Sequence, residues 1–125
     1  MPLVPRRSIN LPAPGARRAV VVGAGSFGTA VAVLLARGGL RTTLQTRTNE
    51  QAERLQRDRE NQAYLAGVEL PRELRVEQLD AGLHRADYVF LGVPSHGLDE
   101  LIDRLENRGL PPRAAVVSLA SPAPE

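Results

Sequence analysis

At 125 residues the chain has enough length for about one domain, since a single core usually forms from roughly 100 to 150 residues. Its 42% hydrophobic and 24% charged content suits a globular core, and the absence of cysteine excludes disulfides, thiolate nucleophiles and Cys-rich metal sites. The net charge of +2 is uneven: Arg6, Arg7, Arg17 and Arg18 precede every acid, and from Ala19 onward 12 arginines face 14 acids. The basic character therefore lies in the tail, and with 3% aromatics a nucleic-acid surface has little support. All 16 basic residues are arginine.

Met1 to Arg18 holds four prolines and no apolar signal core, which predicts a disordered N-terminal extension over 1–18, with a transit peptide as the weaker reading. No apolar run approaches the roughly 20 residues that span a bilayer, so membrane insertion is not expected and a cytoplasmic setting is.

The apolar period then alternates between strand-like and helix-like, predicting a βαβ series on a parallel sheet over 19–120. Ala19 to Val22 reads as a buried strand. Phe27 to Arg37 reads as a helix with Ala30, Val31, Leu34 and Leu35 on its apolar face, stopped by Gly38 and Gly39. Arg41 to Thr46 is a second, β-branched strand. Thr48, with Gln51 three residues on, caps a helix running to about Arg59.

"ENQAYLAGVELP" reads as irregular up to Pro71, followed by a strand at Leu74 to Glu77 and a short helix around Leu79 to His84. Tyr88 to Val93 is a strand broken by Pro94. Leu98 to Asn107 is an amphipathic helix with Leu98, Leu101, Ile102 and Leu105 on one face, and Ala114 to Leu119 is a fifth strand. "SPAPE" closes the chain as a disordered tail over 121–125.

Gly23, Gly25 and Gly28 form Gly-x-Gly-x-x-Gly after a predicted strand and at the opening of a predicted helix, the context that turns a weak motif into a dinucleotide fingerprint. Gly23 permits the turn, Gly25 clears space for a pyrophosphate, and Gly28 lets helix and strand approach. The helix N-terminus supplies free N–H groups to the diphosphate. About 20 residues on, where an NAD-preferring site places an acid, stand Gln45, Thr46 and Arg47. Arg47 can pair a 2′-phosphate, which favours NADP or dual use of NADP and NAD.

With these residues placed, the chain resembles the N-terminal domain of NAD(P)-dependent glycerol-3-phosphate dehydrogenases of the bacterial type, over about Arg18 to Ala120. "VVGAGSFGTAVAVLLA" is similar to the family's Gly-Ala-Gly-Ser-Trp-Gly-Thr-Ala opening, with Phe27 in place of Trp. "RDRENQAYLAGVELP" is similar to its Arg-x-Asn-x-x-Tyr-Leu-Pro-Gly segment, with Arg59, Asn61, Tyr64, Leu65 and Gly67 in register and Ala66 replacing Pro. "VFLGVPSH" is similar to its Val-Pro-Ser-Gln. The resemblance implies a Rossmann-type doubly wound parallel sheet, incomplete and without the family's helical C-terminal domain.

It also implies cofactor contacts from Gly23, Gly25, Ser26, Phe27, Gly28, Arg47 and Tyr64, with Pro94 and Ser95 beside the nicotinamide ribose. His96 reads as a capping or polar-lining residue rather than a base, since no orienting partner is evident. His84 reads as surface, and two histidines without a carboxylate at ligand spacing make no metal site. No catalytic residue is assigned.

The family continues Ser-x-x-Lys-Gly where this chain has Ser118, Leu119, Ala120, Ser121 and Pro122, so Ser121 replaces a lysine that holds substrate. The expectation is therefore a truncated NAD(P)-binding portion of an enzyme that interconverts dihydroxyacetone phosphate and sn-glycerol 3-phosphate for phospholipid synthesis, inactive alone. The partners expected are a nicotinamide dinucleotide and either a second copy in a homodimer or a separate helical subunit. The alternatives are a non-catalytic dinucleotide-binding module and another Rossmann oxidoreductase such as a ketopantoate reductase. The edge beyond the fifth strand is expected to be bare and apolar.

Overall fold

In the computed structural model, residues 17–78, 82–83, 85–92, 98–107, 109–111 and 114–119 are described. The expected extension and tail lie outside these residues, except for Arg17 and Arg18, as do His84, Pro94, Ser95, His96 and Ser121.

Four segments alternate strand and helix at the start: β1 (Arg18–Val22), α1 (Ser26–Arg37), β2 (Arg41–Thr46) and α2 (Asn49–Asp58). A hairpin follows, β3 (Glu60–Asn61) and β4 (Leu65–Glu69), then β5 (Arg75–Gln78), β6 (Tyr88–Leu91), α3 (Leu98–Asn107) and β7 (Ala115–Ser118). The main sheet has the order β5-β2-β1-β6-β7. All four of its pairings are parallel, with Val22 opposite both Gln45 and Leu91. The five sheet strands match the five expected, and the order places a topological switch point beside β1, where ligands bind in open α/β sheets.

Period-two alternation sends successive residues of β1 to opposite faces. Val21 joins Leu44 and Val76 beneath Ala32, Val33 and Ala36 of α1 and Leu55 of α2. Val20 and Val22 join Val89 and Leu91 against Leu101 and Leu105 of α3. Helices therefore cover both faces of the sheet, the doubly wound arrangement. The amino end is pinned by reciprocal contacts: Arg18 N–H donates to Asp87 Oδ2 at 2.8 Å, and Asp87 N–H donates to the Arg18 carbonyl at 2.8 Å.

The structure corrects the expected face of α1. Gly28, Thr29, Ala32, Val33 and Ala36 are buried, whereas Leu34 is 66% exposed and Ala30, Val31 and Leu35 are half-buried. The helix sits so close to the sheet that the contact stripe must be built from small residues. A helix apolar around most of its circumference carries several candidate stripes, and size rather than hydropathy selects among them.

The segment read as irregular up to Pro71 is instead the β3–β4 hairpin, which turns at 62–64 and holds Gly67 inside β4 at a φ of 85°. Its pairing breaks register between Glu60 and Asn61, and the Glu60 carboxylate accepts from Gly67 N–H at 2.9 Å. Two-residue strands with a bulge carry too little periodicity to be read in advance. The helix expected around Leu79 to His84 does not include Gly82 or Leu83: Gly82 has φ 96°, which a helix interior does not accept. Strand β6 stops at Leu91 rather than running to Val93, a residue outside those described.

Candidate dinucleotide-binding site

The carboxyl ends of three strands converge on Gly23. Directly after β1 the chain turns at Gly23, whose φ of 105° is the left-handed region that favours glycine. Its N–H donates to the Gln45 carbonyl at 2.9 Å, tying the loop to β2. On the other side Gly92 N–H donates to the Val22 carbonyl at 2.8 Å, continuing the β6 ladder.

Side-chain space separates the roles of the glycines. A Cβ on Gly28 would collide with the Gly23 carbonyl oxygen, so this position holds helix and strand together. A Cβ on Gly92 would lie 3.3 Å from Gly28 Cα and 3.4 Å from the Gly23 oxygen, so three backbone segments meet there. A Cβ on Gly25 would meet nothing within 4 Å, leaving open space over the loop. Gly92 is a member of the site that the sequence reading missed. Its signal was a glycine immediately after the apolar run Val89 to Leu91, where glycine marks close backbone approach.

The opening of α1 suits an anion. Gly25 is the N-cap and makes no side-chain cap, and the first turn holds no acid. The positive end of the helix dipole is thus neither capped nor neutralised by its own side chains. Ser26 is exposed there and Phe27 is 61% exposed. These features fit a diphosphate at Gly25 and the first turn of α1.

At the end of β2 the structure distinguishes three residues that the sequence left as a group. Gln45 is fully buried and donates Nε2–H to the Gly82 carbonyl at 2.8 Å. Thr46 is fully buried and donates its hydroxyl to the Thr48 carbonyl at 2.8 Å. Arg47 alone is exposed, and it makes no hydrogen bond or ion pair among the described residues. Thr48 caps α2 as expected, its Oγ1 accepting from Gln51 N–H at 3.1 Å.

The hairpin is tied at its base to the segment that follows it and through Asn61 to the glycine loop. Arg59, at φ 53°, sends its guanidinium to the carbonyls of Pro71 and Leu74 at 2.6 and 2.8 Å. Asn61 is buried and donates to the Ala24 carbonyl and to Thr29 Oγ1. Tyr64, at the hairpin turn, is 53% exposed. Of the expected cofactor residues, Gly23, Gly25, Ser26, Phe27 and Gly28 form one continuous loop and helix opening. Arg47 stands at the neighbouring strand end and Tyr64 on the attached hairpin, while Pro94 and Ser95 follow Gly92 outside the described residues.

Comparison with known proteins bears on this arrangement. The family described as "NAD-dependent glycerol-3-phosphate dehydrogenase N-terminus" matches residues 18–121. Among curated relatives, the glycerol-3-phosphate dehydrogenase [NAD(P)+] of Alcanivorax borkumensis is 39% identical over 101 residues, which is 80% of this chain and 29% of the relative. That of Thermus thermophilus is 44% identical over 102 residues, 81% of this chain and 30% of the relative. The chain thus spans about 30% of the length of such relatives.

Among solved structures, the glycerol-3-phosphate dehydrogenase of Coxiella burnetii superposes with a TM-score of 0.74 at 27% identity, covering 84% of this chain and 32% of that one. A putative 2-dehydropantoate 2-reductase from Enterococcus faecalis, at TM-score 0.62 and 18% identity over 83% of this chain and 34% of its own, shares the fold alone. Among the described residues no helix is long and apolar enough to cross a membrane. The glycine loop, the Arg59 to Pro71 hairpin segment and the match over 18–121 lead to one assignment: this chain belongs to the NAD-dependent glycerol-3-phosphate dehydrogenase family and carries its N-terminal, Rossmann-type domain.

Proposed function

We propose that the chain binds a nicotinamide dinucleotide, NADP or NAD, with its diphosphate over Gly23, Gly25 and Gly28 at the start of α1. The carrying observation is the open space at Gly25 in front of an uncapped, acid-free helix N-terminus. Ser26 and Phe27 flank the diphosphate. Arg47 meets the adenosine ribose or its 2′-phosphate, for which a planar fork of donors is suited. Tyr64 lines the same mouth from the hairpin, and Pro94 and Ser95 extend the site toward the nicotinamide.

The reaction we infer for the assembled enzyme is hydride transfer between the dinucleotide and the pair dihydroxyacetone phosphate and sn-glycerol 3-phosphate, in the cytoplasm. The bound cofactor would supply the hydride. What this chain's residues do is bind and orient it. Negative charge developing on a carbonyl oxygen needs a cation or donor nearby, and this chain has no lysine to provide an ammonium. An ammonium on the substrate side would therefore come from further sequence, whether a C-terminal domain or a separate helical subunit.

The test is to join the 125 residues in frame to the portion of the Thermus thermophilus relative that follows the matched segment, and to follow NADPH oxidation with dihydroxyacetone phosphate. Turnover in the fusion and none in the chain alone supports this reading. Cofactor binding without turnover in the fusion would favour a non-catalytic dinucleotide module.

A further inference from the structure

Asn61 is 3% exposed, and its side chain reaches out of its own hairpin into the glycine loop. Its Nδ2 donates to the Ala24 carbonyl at 2.8 Å and to Thr29 Oγ1 at 2.9 Å. The two acceptors bracket Gly25: Ala24 precedes it, and Thr29 lies in α1, with its own N–H on the Gly25 carbonyl at 2.9 Å. A carbonyl can only accept, so the amide nitrogen of Asn61 is the atom that faces Ala24.

A trans peptide unit is planar, with its C=O and N–H pointing in opposite directions. Holding the Ala24 oxygen against Asn61 therefore directs the Gly25 N–H away from Asn61. That N–H has no acceptor among the described residues. From this geometry we infer that Asn61 is a positioning residue for the dinucleotide: it fixes the polarity of the Ala24–Gly25 peptide so that a donor, and not a carbonyl oxygen, is presented to the diphosphate. A flipped peptide would set an acceptor against an anion. The second bond, to Thr29, locks the same side chain to the helix that follows, so loop and helix opening hold one geometry before ligand arrives.

This inference rests on the dinucleotide reading above, and the experiment separates the two. Asn61→Leu keeps volume and neutrality and removes both donors. Titrations with NADPH, ADP-ribose and adenosine compare ligands with and without a diphosphate. The variant is expected to lose about tenfold to a hundredfold in affinity for NADPH and ADP-ribose, the scale of a hydrogen bond to a charged group, and to leave adenosine unchanged. Equal binding of ADP-ribose by variant and wild type, or a parallel loss for adenosine, overturns the positioning role. A wild-type chain that binds none of the three overturns the dinucleotide reading and this inference with it. Should Asn61→Leu fail to fold, the wild-type side-chain amide resonance of Asn61 serves instead. It is expected to shift on adding ADP-ribose and not adenosine, and a resonance that ignores both overturns the role.

Discussion

The carbonyl oxygen of Gly23 occupies the place that a Cβ on Gly28 would take, and this contact sets how closely α1 lies on β1. Gly28→Ala must move either the turn or the helix. Overpacking of this kind costs about 1–3 kcal/mol. Urea denaturation is expected to show a lower midpoint with an unchanged slope, and NADPH affinity should fall along with it because the loop itself shifts.

Gly25→Ala separates stability from binding. The backbone there has φ −77°, open to any residue, and the new methyl meets no protein atom. Stability should stay within about 1 kcal/mol of wild type, since a lost glycine N-cap is offset by a less flexible unfolded chain. NADPH affinity, measured by calorimetry, should nonetheless drop at least about tenfold, because the methyl takes the space a diphosphate needs.

Arg47 is the exposed member of the Gln45, Thr46, Arg47 group, and under the proposed function it sets the choice of cofactor. Arg47→Asp is expected to weaken NADPH far more than NADH, by roughly tenfold to a hundredfold, the worth of a charge-assisted pair with the 2′-phosphate. Equal losses for both nucleotides would remove Arg47 from the site.

Arg59 is a structural residue. Its guanidinium satisfies the Pro71 and Leu74 carbonyls, and Leu70 N–H donates to the Arg59 carbonyl at 2.7 Å, closing the base of the hairpin. Arg59→Met should cost about 2 kcal/mol through two carbonyls left without their charged donor. Thermal unfolding checks this, with Arg59→Lys recovering part of the loss.

Among the described residues β7 is the outermost strand on its side of the sheet, with Val116 and Val117 at 41% and 38% exposure. Exposed apolar side chains on such a strand favour association. Val117→Lys should reduce concentration-dependent self-association of the 125-residue chain in sedimentation velocity, with little change in far-UV circular dichroism.

Much of this was legible before the structure. Gly23, Gly25 and Gly28 announced strand, turn and helix because each glycine answers a backbone demand, and the five sheet strands followed from apolar or β-branched stretches between turn residues. What stayed hidden depends on three-dimensional neighbours. The buried stripe of α1 was misread because closeness to the sheet favours Ala32 and Ala36 over Leu34. The hairpin was read as loop because Asn61 and Glu60 hold it through side-chain hydrogen bonds, which leave no period in the sequence. Gly92 escaped notice because its partners, Gly23 and Gly28, lie more than sixty residues away along the chain.

The central claim, that a dinucleotide sits on the glycine loop, is tested most directly by amide-resolved NMR titration of the 125-residue chain with NADPH. Saturable shifts at Gly23, Gly25, Ser26, Phe27 and Gly92, with β7 unmoved, are the expected result. No saturable change, or changes confined to residues away from the loop, would contradict it.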